Sequence, residues 1–182
     1  MKIITDTNEA KSLLRQGGTL IYPTEAVYGL GCSPFNKTAV ETVLSLKKRT
    51  INKGFILLIA DWPQLFPLIG SVTDKQLETV QKTWPGFITW VFPKAKSLPP
   101  WITGEKETIA IRMTAHTIAR ALCNEMPIIS TSVNLSGQPP IENTDKIATL
   151  FGNKIDALVQ GKLGQDKQAS AIYDVQTGLQ LR

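Results

Sequence analysis

Histidine is almost absent from this sequence of 182 residues, in which His116 stands alone. A multi-histidine metal site is therefore excluded, and a Ser-His-Asp triad could be built only around that one ring. Cysteine is scarce as well. Cys32 and Cys123 show no Cys-x-x-Cys spacing, which rules out a disulfide framework and a cysteine-rich zinc site as organising features. No apolar run approaches ~18 residues, and the start MKIITDTNEAKSLL is too polar for a signal peptide. The chain therefore reads as cytoplasmic, with reduced thiols and no membrane association. There is no GxxxxGK[ST] loop, no GxGxxG after a strand, no carboxylate cluster, no internal repeat and no linker-like shift in composition.

What is present fits one globular domain with a real core. Hydrophobic residues make up 42% and charged residues 19% of the chain, and 20 Lys plus Arg against 15 Asp plus Glu leave a net charge of +5. That mild excess hints at an anionic partner such as a nucleotide or RNA. Helix and strand patterns alternate. Asp6 or Thr7 can cap a helix that Gly17-Gly18 stops. Residues 19–23 (TLIYP) read as a buried strand, and residues 37–48 as a helix with Val40, Val43 and Leu44 inward. Residues 55–60 (FILLIA) form a continuous apolar run, as in a strand covered on both faces. Thr73 and Gln76 form a capping-box pattern. Strands follow at 87–92 and 108–112, a helix at 117–125, a strand at 127–132 and a short helix capped by Asn143 or Thr144. IDALV, SAIYDV and LQL close the chain as strands. Such alternation predicts an α/β sheet with helices on its faces and ligands where strands end in loops.

Four segments carry candidate chemistry. In YPTEAVYGLGC, Thr24 offers a hydroxyl at a strand end, and Gly29 and Gly31 allow close backbone approach or positive φ. The same residues could form an ordinary strand-to-helix turn. Lys47, Lys48, Arg49 and Lys53 crowd together in LKKRTINKG. A helix C-terminus accounts for one or two cations at about 0.3–1 kcal/mol each. In an extended exit segment, Lys47 and Arg49 point to one side, suited to a polyphosphate. In PIISTSVNLSG, Ser130, Ser132 and Asn134 alternate along one side of a strand end, although a serine-rich turn has the same composition. In TIAIRMTAH, Arg112 ends a strand, where its planar fork suits a carboxylate. His116 reads as a helix-start residue. WPGFITW reads as a helix end, a turn and a core strand, and Trp62 and Trp101 as packing anchors.

Taken in order over residues 8–175, these segments resemble the YrdC/TsaC family of L-threonylcarbamoyladenylate synthases. YPTEAVYGLGC is similar to the family's YPTET-YGLGC, Lys47-Lys48-Arg49 with Lys53 to its KxR element, WPGFIT to WPGP-T and TIAIRMTAH to VAVRxPxH. STSVNLSG is similar to the STSANxSG block that contains SxN, and SAIYD to STIVD. Departures are Thr50 for Pro after KxR, Gly54-Phe55 for Pro-Leu, Val133 and Ala171 for Ala and Thr, and Leu58 where many members carry a polar or His residue near threonine.

The resemblance implies a single YrdC-like domain over 1–182, with a YrdC-type twisted mixed sheet flanked by helices around a basic concave cleft. It implies a nucleotidyltransferase that turns L-threonine, bicarbonate and ATP into L-threonylcarbamoyladenylate and pyrophosphate for tRNA t6A37 modification, handing its product to downstream t6A-forming proteins. Arg49, Lys53, Thr108, Ser132 and Asn134 would hold ATP. Thr24, Arg112, Ser130 and Ser170 would hold L-threonine. Lys47, Arg49, Ser132 and Asn134 would form the catalytic set. No protein metal site is implied, and Mg2+ would arrive with ATP. A non-catalytic binder of tRNA or double-stranded RNA is the alternative, although the sequence lacks aromatic RNP motifs and a GxxG clamp. A carbamoyl-transfer domain of the hydrogenase-maturation type would need accessory domains beyond those seen here.

Overall fold

The computed structural model describes residues 1–48, 54–135, 137–166 and 168–182. Its strands are β1 (Lys2–Ile4), β2 (Thr19–Pro23), β3 (Tyr28–Cys32), β4 (Ile56–Ile59), β5 (Ile88–Pro93), β6 (Thr108–Met113), β7 (Ile128–Ser132), β8 (Ala157–Val159) and β9 (Ala171–Asp174). The helices are α1 (Thr7–Arg15), α2 (Lys37–Lys47), α3 (Asp74–Gln81), α4 (Pro100–Thr103), α5 (Thr117–Cys123) and α6 (Thr144–Phe151). The helix starts follow local capping chemistry. Asp6 accepts from the Asn8 N–H at 2.9 Å, Thr73 and Gln76 complete the capping box, and Asn143 accepts from Asp145 and Lys146.

The described strands join one mixed sheet in the order β1-β8-β2-β3-β7-β4-β6-β5-β9. β7 lies at its middle, antiparallel to both β3 and β4. Side chains alternate between two faces. One face packs Leu20, Tyr22, Leu58 and Ile128 against Ala10 and Leu14 of α1 and Ala119, Leu122 and Cys123 of α5. The other buries Ile21, Leu57, Ile59 and Ile129 with Val40 and Val43 of α2, Val80 of α3, Ile102 of α4 and Ile147 and Phe151 of α6.

Two sequence expectations differ from this arrangement. Residues 28–32 form β3, paired with β2 through Tyr22↔Gly29 and Leu20↔Gly31, and are not a glycine loop. Neither glycine has positive φ. A Cβ on Gly31 would lie 2.1 Å from the Ile129 carbonyl, and one on Gly29 would lie 2.9 Å from the Tyr22 ring. The glycines therefore let the Tyr22 ring lie flat across the hairpin. The second is a matter of degree: LQL is not a full strand, yet beyond the turn at Gly178 (φ 72°) it runs antiparallel to β9, with the Asp174 N–H donating to the Leu179 carbonyl at 2.9 Å and the Leu181 N–H to the Ile172 carbonyl at 2.7 Å. Two elements, β1 and α4, were too short to register as patterns.

Candidate active site

The face covered by α1 and α5 is only half covered. Beyond the helices, the same face carries Ile56 of β4, Ala110 and Arg112 of β6, and Ser130 and Ser132 of β7. These residues line a cavity of about 450 Å³. Thr24, Phe87 and Ser170 close its sides, and Arg182 and Lys106 stand on its wall. Among the described lining residues are three cationic side chains (Lys106, Arg112 and Arg182) and no Asp or Glu. Leu58 is not a lining residue. It lies two positions along from Ile56, wholly buried beneath the helices and paired in register with Arg112, so the departure noted there falls in the core beside the cavity.

Arg112 is 6% exposed and Glu25 7% exposed, and their ion pair spans 3.2 Å from Nη2 to Oε2. The Phe87 ring lies 4.9 Å from the guanidinium carbon. Glu25 Oε1 accepts from the Thr114 hydroxyl at 2.6 Å and from the Ala115 N–H at 3.2 Å. Burial pushes the Glu25 carboxyl upward, but Arg112, Thr114 and the backbone N–H groups outweigh it and hold it below the ordinary range. The Arg112 guanidinium stays protonated, as guanidinium does in proteins. Its Nε and Glu25 Oε2 are buried and have no hydrogen-bond partner among the described residues, so Nη2 and Oε2 meet as an ion pair. A segment running from Gly161 to Asp166 straps over this pair. Gly164 N–H donates to the Thr24 carbonyl at 2.9 Å, and Asp166 N–H donates to that of Glu25 at 3.1 Å. A Cβ on Gly164 would sit 2.4 Å from the Glu25 carbonyl, so only glycine allows the strap to lie this close.

The end of β7 is joined to the end of α2. The buried Lys47 ammonium donates to the Ser132 carbonyl at 2.6 Å and to Asn134 Oδ1. The Ser132 hydroxyl donates to the same Oδ1 at 2.8 Å, and Asn134 Nδ2 donates to the Gln138 carbonyl. Lys47 is the last residue of α2, and Lys48 turns left-handed with φ 48°, so the run does not begin as an extended segment. Lys47 and Asn134 stand behind the wall that Ser130 and Ser132 line.

On the opposite side, the Ser170 hydroxyl is 2.9 Å from that of Thr89, and the Arg182 guanidinium donates to the Ser170 carbonyl at 3.0 Å. Thr108 lines a side recess of about 130 Å³ that shares Gly54, Phe55, Lys106, Ala110 and Leu181 with the main cavity. Thr24, Arg112, Ser130, Ser132 and Ser170 are thus brought to one cavity, with Thr108 in its annex. Arg49 and Lys53 lie outside the described residues. His116 caps α5, its Nδ1 accepting from the Ala119 N–H at 3.4 Å and its Nε2 facing the Lys162 carbonyl at 3.1 Å. That is the helix-start role its position predicts. Burial pushes both thiols up to about 12, which leaves no thiolate nucleophile among the described residues.

Sequence reasoning assigned no role to Glu25, Phe87, Lys106 or Arg182. Glu25 and Phe87 were visible inside YPTE and WPGF, but nothing local pairs either with Arg112. Lys106 and Arg182 sit in ordinary polar contexts and gain interest only from the cavity they share.

The family described as telomere recombination, Sua5/YciO/YrdC, matches residues 12–182. The chain belongs to this family. It is 50% identical over 177 residues to a threonylcarbamoyl-AMP synthase of Coxiella burnetii, covering 96% of this chain and 95% of that protein. A threonylcarbamoyl-AMP synthase of Cellvibrio japonicus is 42% identical over 96% of this chain and 94% of its own. Among solved structures, P. abyssi Sua5 complexed with L-threonine superposes with a TM-score of 0.87 at 31% identity. That match spans 95% of this chain and 53% of the Sua5 chain. E. coli YciO shares the fold, with a TM-score of 0.82 at 23% identity, covering 95% of this chain and 87% of its own. The open mixed sheet flanked by helices is thus the architecture of the family.

Proposed function

We propose that this chain is a threonylcarbamoyl-AMP synthase, a nucleotidyltransferase that joins L-threonine, bicarbonate and ATP into L-threonylcarbamoyladenylate for t6A37 modification of tRNA. One observation carries the reading: a cavity lined by cations and hydroxyls, with no Asp or Glu among its described lining residues, in a chain half identical to an enzyme of that name. Arg112, with Thr24, Ser130 and Ser170 around it, binds the amino acid by its carboxylate. Arg49, Lys53, Thr108 and Ser132 hold the nucleotide, with Asn134 fixing the Ser132 hydroxyl and Lys47 pinning the end of β7.

The threonine nitrogen bonds either to the carbon of bicarbonate, with loss of water, or to the carbon of CO2, with loss of a proton, and both routes give the N-carboxylate. The resulting carboxylate oxygen bonds to the α-phosphorus, and the bond to the bridging oxygen breaks, releasing pyrophosphate. No protein nucleophile takes part. Catalysis consists of positioning and of neutralising phosphate charge. Mg2+ would travel on the phosphate oxygens of ATP, since the described lining supplies no carboxylate to hold it. The product would pass to the proteins that transfer it to tRNA. The whole chain would act as one cytoplasmic domain, and no described helix is long and apolar enough to cross a membrane.

Pyrophosphate release from ATP should require both L-threonine and bicarbonate. Release that continues at full rate after either is rigorously removed would overturn the assignment.

A further inference from the structure

Resting on the reading of Arg112 as the carboxylate ligand, we infer that Glu25 is a positioning residue that sets which edge of the Arg112 guanidinium meets the amino acid. Glu25 does not line the cavity. Its Oε2 is buried and within 3.2 Å of Arg112 Nη2. Its Oε1 is clamped by Thr114 and Ala115, which follow Arg112 on the same stretch of chain. Phe87 backs the flat face of the guanidinium, and the glycine strap seals Glu25 from above. Nη2 is therefore held by an ion pair, and one face is blocked. Nε is shielded from solvent with no hydrogen-bond partner among the described residues, in a residue that lines the cavity. A planar fork recognises a carboxylate only when its free edge is aimed at it. Glu25 cannot itself act as the base on the substrate amine, because it lies behind the wall and its carboxyl is held ionised.

Glu25→Gln isolates this role. The amide keeps the size of the side chain and can keep the Thr114 and Ala115 bonds, but it then turns NH2 toward Nη2. Donor meets donor, and the guanidinium loses its tether. Calorimetry on the full chain should show L-threonine affinity falling about ten- to a hundredfold, the scale of a misplaced binding group. ATP affinity, and affinity for L-threoninamide, which has no carboxylate charge, should change less than threefold. The double variant Glu25→Gln/Arg112→Gln should bind L-threonine no more weakly than Arg112→Gln alone, since Glu25 acts only through Arg112. Equal losses for L-threonine and L-threoninamide, or additive losses in the double variant, would overturn the inference. If Glu25→Gln fails to fold, Glu25→Asp replaces it. That variant keeps the charge but draws it back, and should show an intermediate loss for L-threonine alone; wild-type affinity in Glu25→Asp would reject the role. The two readings separate cleanly. Unchanged L-threonine affinity in Arg112→Gln rejects the carboxylate site itself, whereas loss there combined with wild-type binding in Glu25→Gln rejects only the positioning role.

Discussion

One face of one sheet does two different jobs. Under α1 and α5 it carries Leu20, Tyr22, Leu58 and Ile128, interlocked with helix side chains and cut off from water. A few ångströms further along the same strands it carries Ile56, Ala110, Ser130 and Ser132, with Arg112 among them, and no described helix covers them. The strand geometry is shared, so helix cover and side-chain chemistry together separate core from cavity. Large apolar groups fill the covered half. Beyond Ile56, small, hydroxyl and cationic groups line the other half and suit it to anions.

The sharpest way to break this comparison is to strike the pair at its boundary. Glu25→Ala strands a buried guanidinium, and loss of one partner of such a pair typically costs about 3–5 kcal/mol. Thermal melting should fall accordingly. The same contact can be read with pH. Glu25 is held below its ordinary value of 4.5, so the folded state binds its proton less readily than the unfolded state does. Its contribution is therefore present above about that pH and is lost as the solution is acidified through the folded value. Denaturant melts of wild type and Glu25→Gln should converge in acid and diverge toward neutrality.

Leu58→Ala tests the covered half. A cavity in that packed layer should cost about 2–5 kcal/mol, with L-threonine KM in the folded protein within twofold of wild type. Ala110→Leu tests the open half with the opposite sign. It should leave melting unchanged or raise it slightly, while a displaced substrate lowers kcat/KM by up to about a hundredfold. If Ala110→Leu destabilises as much as Leu58→Ala, the open half is core, and the distinction fails. Ser132→Ala should be the mildest. Losing one neutral hydroxyl contact costs about 1 kcal/mol, or about fivefold in kcat/KM, with melting unaffected.

Much of this division could be read from sequence because strand composition records what covers it. FILLIA reads as a strand covered on both faces, which holds over Leu57–Ala60 but not at Ile56, which lines the cavity; in PIISTS the apolar residues are buried and Ser130 and Ser132 line the cavity. β3 escaped because Gly29 and Gly31 look like loop residues. Their reason is the Tyr22 ring lying across them, a contact that no local pattern encodes. Thr24, Arg112, Ser130, Ser132 and Ser170 were legible from strand ends together with an ordered resemblance. Glu25 was not, because its meaning comes from Thr114 and Arg112, far away in sequence and adjacent only after folding. Lys47 gains its partner in the same way: it ends α2, and its ammonium donates to the Ser132 carbonyl at the end of β7, a contact between residues far apart in sequence.

The central place of β7 also governs how the molecule is made. On an emerging chain, β3 and β4 are synthesised long before the strand that joins them, and each must wait with an unpaired edge. Only when Ile128–Ser132 arrives can the two halves of the sheet be keyed together. That same strand brings Ser130 and Ser132. The cavity is finished later still, when the Gly161–Asp166 strap, Ser170 and Arg182 follow, so a chain stalled before β7 carries two unpaired edges and no completed site through which substrate could rescue it.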